Sequence, residues 1–230
     1  MEPKQESKIN VRLELNNILK IIFQAQESYK ILQCLCTSSG DEIEDGIKDR
    51  SYFFLYCKER FFKDTIIELA KLFNAKNTED FSLIKFKNKL YNDDDFKGVI
   101  ESDVLKNWSD MLKSANDIIK KIIENRNRYV AHTDREFNPE KFPLSLNDLK
   151  VVISIAQKIA KDILWILEKA SFQIDAPIGS PVDSLKHIIN ELGENEKNRL
   201  RPFLKEAYEY KSDSNIPDWF EKELQNSSDL

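Results

Sequence analysis

The amino-acid sequence predicts an all-α protein, a bundle of four long helices followed by a small C-terminal helical extension. Two observations carry that reading. Glycine occurs five times and proline seven in 230 residues, few for this length, while Leu, Ile, Lys and Glu are abundant and recur at helical spacing. The apolar share, 41%, is enough for one domain with a sizeable core and an appendage. Residues 1–174 are expected to form the bundle, 175–182 a linker and 183–230 the extension.

The first helix spans about residues 9–37, where Val11, Leu15, Ile18, Ile22, Ala25, Tyr29, Leu32 and Cys36 keep the three-four spacing of one face. Thr37 to Gly40 ends it. The second, about 50–74, is apolar over a wide arc through Phe54, Leu55, Phe61, Phe62, Ile66, Leu69 and Phe73, as suits a central helix packed on more than one side. A shorter helix at 81–91 and a loop from Asn92 to Gly98 follow. The third long helix starts near Ser102 and carries Val104, Trp108, Met111, Ala115, Ile118 and Ile122 on one stripe. After Pro139 and Pro143, Ser145 with Asp148 resembles a capping box and Leu144 with Leu149 a hydrophobic staple. These start the fourth long helix, which runs to about Phe172. The stretch "DAPIGSPVD", residues 175–183, concentrates breakers and reads as a linker. Three shorter helices are expected beyond it, at 183–192, 195–211 and 217–225, the last anchored by Trp219 and Phe220.

No apolar run follows a basic start, and no apolar stretch approaches the ~20 residues of a membrane span, so the expectation is a soluble cytoplasmic protein without membrane contact. Cys34, Cys36 and Cys57 read as core thiols, because no second Cys or His pair completes a zinc site; neither a metal nor a cofactor is expected. The net charge of -5 excludes a generic basic nucleic-acid coat, so contact with nucleic acid has to be local. Asp93, Asp94 and Asp95 lack a regular ligand spacing and read as a solvated loop. The local basic excess lies elsewhere, in Lys120, Lys121, Arg126, Arg128 and Arg135 against Glu124 and Asp134.

That basic stretch, "ENRNRYVAHTDRE" at 124–136, falls where the third helix runs out and contains His132; the other histidine, His187, is expected on a surface helix of the extension, without a role. At 100° per residue, continuing the helix puts Arg126 about 40° from Ile122, in line with Trp108, and Arg128 about 120° away. Arg126 is therefore expected on the buried face. An arginine stays charged in a protein, so on an apolar face it must be paired or line a polar cleft. His132 lies about 9 Å of rise and about 120° of azimuth beyond Arg126 on an unbroken helix. The two act on one group only where the helix ends or bends between them, or where a second subunit meets the first across a symmetric interface.

"RNRYVAH", residues 126–132, resembles the R-N-x-x-x-A-H form of the arginine-x(four to six)-histidine signature of the HEPN superfamily. "FFKDTIIELAKLF", residues 61–73, resembles the second helix of its abortive-infection U-type members, and the likeness covers roughly residues 8–172. The resemblance implies a helical bundle that dimerises and, as in many members, a metal-independent ribonuclease. Carried over by position, it makes Arg126 and His132 the catalytic pair and Asn127 the polar residue after the arginine. Arg128 and Lys121 are then the candidates for contacts to the RNA substrate.

The chemistry is coherent. RNA carries its own nucleophile, the 2′-hydroxyl, so cleavage to a 2′,3′-cyclic phosphate needs a proton acceptor, a proton donor for the 5′-oxygen and positive charge at the phosphorane. An imidazole suits the proton transfers and a planar guanidinium suits bidentate phosphate contact. One such histidine per chain supplies one transfer group, and a homodimer would complete the set. In a toxin or abortive-infection setting, an antitoxin or regulatory protein is a candidate partner. Members controlled by a nucleotidyltransferase antitoxin often carry a tyrosine two residues after the histidine; Asp134 stands there.

Two plainer readings stand beside this one. Cations at a helix C-terminus are favoured by the dipole, Arg128 with His132 is an ordinary i, i+4 couple, and Lys120 with Lys121 suits a solvated face. Alternatively the chain is a non-catalytic binding module for a protein, nucleotide or RNA, a reading motivated by its acidic charge and by Trp219 and Phe220 in the extension. Trp108 and Trp165 fall on core stripes, where packing is the default over base stacking.

Overall fold

The computed structural model describes residues 5–75, 81–92, 100–127, 143–168, 180–209, 217, 219, 220 and 222. Among them the regular structure is helical throughout, in eight segments: α1 (Gln5–Cys36), α2 (Glu42–Arg50), α3 (Tyr52–Phe73), α4 (Leu83–Asn92), α5 (Ser102–Ser114), α6 (Asn116–Asn125), α7 (Leu146–Glu168) and α8 (Pro181–Glu209). The four long stretches of the bundle are α1, α3, the α5–α6 pair and α7. The chain forms two compact units, Met1–Gln33 with Glu59–Gly179, and Cys34–Lys58 with Ser180–Leu230.

The first unit has one apolar core. Its stripe on α1 runs through Val11, Leu15, Ile18, Ile22, Ala25, Tyr29 and Leu32, that on α3 through Ile66, Leu69 and Phe73, and that on α7 through Leu149, Val152, Ala156, Ile159 and Ile163, all buried. Each large aliphatic side chain so placed contributes about 1.5–3 kcal/mol relative to exposure. Trp108 of α5 is wholly buried; its indole N–H donates to Asp162 Oδ2 of α7 at 3.0 Å, and Asp162 Oδ1 accepts from Lys158 at 2.6 Å. Gln157 Nε2 of α7 donates to Gln26 Oε1 of α1 at 2.7 Å. A slip of α1 against α7 would leave that amide pair unmatched, so it fixes their register as well as adding to stability.

The expected capping box at the start of α7 is present. Ser145 N–H donates to Asp148 Oδ2 at 2.9 Å, and Asp148 N–H donates to Ser145 Oγ at 3.1 Å. Leu149 is buried in the core, and Leu144, partly buried just before the helix, packs against that same core.

In the second unit, Gly40 turns the chain at φ 83°, a left-handed conformation that glycine adopts without strain. Asp41 then caps α2, its Oδ1 accepting from the N–H groups of Ile43 at 2.9 Å and Glu44 at 3.1 Å. Its Oδ2 accepts from Lys197 Nζ of α8 at 2.6 Å. Lys48 is buried, pairs with Asp45 at 2.6 Å and donates to Thr37 O at 2.7 Å, covering the carbonyl end of α1. The two helices α2 and α8 approach so closely that a Cβ on Gly193 would meet Glu44 Cγ at 3.0 Å.

Several expectations change. The sequence reading left 38–49 outside a helix, yet α2 lies there; nine residues give too short a period to recognise, and the Asp41 cap with the packing on α8 stabilises them. The third long helix is interrupted at Ala115 (φ -96°, ψ 5°), where the Ser114 hydroxyl donates to Met111 O at 2.8 Å and competes with the main chain for that carbonyl. The helices expected at 183–192 and 195–211 are one helix, because a single glycine costs about 1 kcal/mol and does not break a helix that packs elsewhere. That helix starts at Pro181, a residue suited to the first helical position. Of the helix expected at 217–225, Trp219, Phe220 and Lys222 are described and helical.

Leu55 and Trp165, placed on core stripes from the sequence, are 43% and 56% exposed. Phe54 takes the inward position in α3, and Trp165 lies about 200° round α7 from the buried Ile163. The three cysteines are not all core thiols: Cys34 and Cys57 are half-buried and Cys36 is exposed. His187 is exposed beside Glu191, as expected of a surface helix. The Asp93–Asp95 run lies outside the described residues. No described helix is long and apolar enough to cross a membrane.

Candidate functional site

The candidate site begins where α6 ends. Ala115, Ile119 and Ile122 form the buried stripe that seats α6 in the core of the first unit. Arg126 is the C-cap residue, in right-handed helical conformation at φ -58° and ψ -48°. Its N–H is shared between Ile122 O and Ile123 O, and the helical path widens into a π-type turn over Arg126 and Asn127.

Arg126 is half-buried, at the edge of the stripe on which the sequence placed it. Its Nη1 donates to Asn127 Oδ1 at 3.1 Å. The amide oxygen thus holds one donor of the guanidinium fork, and a cation at this position is favoured by the partial negative charge of the helix end. Lys121, one turn earlier, is half-buried, and its charge reaches the start of α7: Asp148 is held below the usual carboxylate range first by the Ser145 N–H, which burial opposes, and then by the Ser145 hydroxyl and the Lys121 ammonium. Lys121 and the α7 cap thus belong to the unit that carries Arg126, and α6 packs on α7 within it.

His132 and Arg128 lie outside the described residues. Of the five side chains singled out from the sequence, the structure brings Arg126 and Asn127 together and sets Lys121 on the same helix. Sequence reasoning passed over Asn125. It is 3% exposed, and its Nδ2 donates to Lys121 O at 2.9 Å. The available signal was a polar residue three positions after Ile122, in a register otherwise held by apolar side chains.

An all-helical bundle with an arginine-asparagine pair at the end of its third long helical stretch, followed by a long amphipathic helix, is consistent with the HEPN class of helical domains. The family model HEPN AbiU2, described as AbiU2, matches residues 9–188, well over half of the chain, and the chain belongs to that abortive-infection family. The match passes beyond α7 into the first turns of α8. Domains of the superfamily are commonly ribonucleases. No curated protein and no solved structure matches the chain.

Proposed function

We propose that this protein is a metal-independent RNA endonuclease that works as a homodimer and acts as an effector of abortive infection. The observation that carries the reading is Arg126, the first residue of the string that resembles the HEPN signature, half-buried at the end of α6 with its guanidinium on Asn127. In this mechanism His132 accepts the proton of the 2′-hydroxyl as its oxygen attacks phosphorus. The guanidinium of Arg126 stabilises the charge of the phosphorane, where fixed donors are most effective. The bond from phosphorus to the 5′-oxygen then breaks, and the partner subunit's His132 donates the proton to that oxygen. The products end in a 2′,3′-cyclic phosphate and a 5′-hydroxyl. Lys121 and Arg128 hold neighbouring phosphates, and an antitoxin or regulatory protein restrains the cleft.

The test is cleavage of RNA by the purified protein in EDTA, with the new ends identified by mass spectrometry. Each of His132→Ala and Arg126→Ala is expected to lower the rate by about 10²–10⁴-fold with the helical circular dichroism unchanged. Undiminished cleavage by purified His132→Ala would sink the proposal. With one imidazole accepting and one donating, the rate should also trace a bell against pH.

A second reading, a non-catalytic binding module, is favoured by the aromatic face at the start of α3, where Tyr52, Phe53 and Tyr56 are all exposed. Intact RNA after long incubation with the wild type, together with a stable stoichiometric partner, would select it.

A further inference from the structure

We propose that Asn125 is a positioning residue for Arg126, ending α6 at the place that turns the guanidinium onto Asn127. The inference rests on the reading of Arg126 as the phosphate-binding residue. In an unbroken α-helix the carbonyl of Lys121 accepts the main-chain N–H of Asn125, four residues on. Here the side-chain amide of Asn125 also donates to that carbonyl, at 2.9 Å. A side chain competing for the i−4 carbonyl loosens the ladder and bends the helix at that turn. The ladder does lose its regularity at the next residue: the Arg126 N–H divides between Ile122 O and Ile123 O, and the path widens.

The side chains show the consequence. Neighbours in sequence diverge by about 100° on a regular helix and do not face each other. Yet Arg126 Nη1 lies 3.1 Å from Asn127 Oδ1, a contact between residues i and i+1. Asn125 itself points inward, 3% exposed, at a stripe position where a leucine would bury more apolar surface. A buried amide here is a poor choice for packing and a good one for breaking the helix between Ile122 and Asn127.

Asn125→Leu and Asn125→Ser separate these roles in the full-length protein. Leucine suits the stripe but has no donor for Lys121 O, whereas the serine hydroxyl bonds i−4 carbonyls in helices. For Asn125→Leu we expect unchanged helical circular dichroism, kcat for RNA cleavage lower by about 10–100-fold as for a misplaced catalytic group, and KM within a factor of about three. Asn125→Ser should recover most of the lost kcat. Wild-type kcat in Asn125→Leu, or a serine variant as impaired as the leucine one, overturns the proposal.

The Nε–H resonance of Arg126 in ¹H–¹⁵N spectra, assigned by its loss in Arg126→Ala, tests positioning without cleavage. It should move in Asn125→Leu and return toward its wild-type position in Asn125→Ser; an unmoved resonance counts against the proposal. A wild type that leaves RNA intact while this resonance follows the prediction refutes the nuclease reading and upholds the positioning one.

Discussion

In the first unit a stripe from each long helix meets in a common apolar interior, and polar groups drawn inside are paired across helices, as Trp108 with Asp162 and Gln157 with Gln26. In the second, the described buried apolar residues are only Leu35, Phe54, Ile189 and Phe220, and the junctions are ionic: Asp41 with Lys197, Asp45 with Lys48. Lys197 also stands 5.9 Å over the ring of Trp219. Apolar burial is non-directional and indifferent to protons, whereas ion pairs and caps require one protonation state. The two units should therefore fail under different insults.

Removing the Trp108 indole is expected to have the largest effect on stability. Trp108→Ala leaves a cavity in the core and takes the indole donor from Asp162 Oδ2, while Lys158 stays on Oδ1, and should cost about 3–5 kcal/mol in a urea titration. A loss under about 1 kcal/mol would break the account of the first unit.

Next comes Asp45→Asn, expected to cost about 2 kcal/mol, less than a fully buried pair because Asp45 keeps a quarter of its side chain exposed. The same group predicts the response to acid. Burial alone would raise the Asp45 carboxyl, but hydrogen bonds from Lys48, Ser38 and Ser39 hold it well below the usual range; Asp41, opposed in the same way by burial, is held low by Lys197 and the N–H groups of Glu44 and Ile43. A carboxyl depressed in the folded state adds stability above its unfolded value, about 3.9, and loses it as pH falls toward the folded one. Protection of amides 42–50 against hydrogen exchange should thus fall between pH 5 and pH 3, while that of 152–163 holds. Parallel loss in both segments would count against the comparison. At the alkaline end Lys197, raised first by its bond to Asp41, keeps its contribution below its unfolded value and loses it as pH rises through the folded one.

Two smaller changes sharpen the contrast. Ser145→Ala removes the cap of α7 and should cost about 1 kcal/mol, read as fraying of the first turn of α7 while the core amides stay protected. Gly46→Ala should stabilise the second unit by about 0.5–1 kcal/mol, since a Cβ at this helical glycine meets nothing within 4 Å. A lower midpoint for Gly46→Ala would show that α2 needs the freedom of glycine.

What local chemistry dictates was legible in the residues. The stripes of α1 and α7 follow from the 3.6-residue period, and the start of α7 from Ser145 and Asp148, since a cap and its helix are neighbours in the chain. The family was legible too, because "RNRYVAH" is a contiguous string. The rest depended on partners distant in sequence. Helix α2 exists through Lys197, 156 positions beyond its cap, and Trp165 faces outward because neighbouring helices cover another side of α7. The inward turn of Asn125, and with it the pairing of Arg126 with Asn127, was decided by where the core of the first unit closes over α6. Periodicity states which residues share a face; only packing decides which face is covered and where a helix is made to yield.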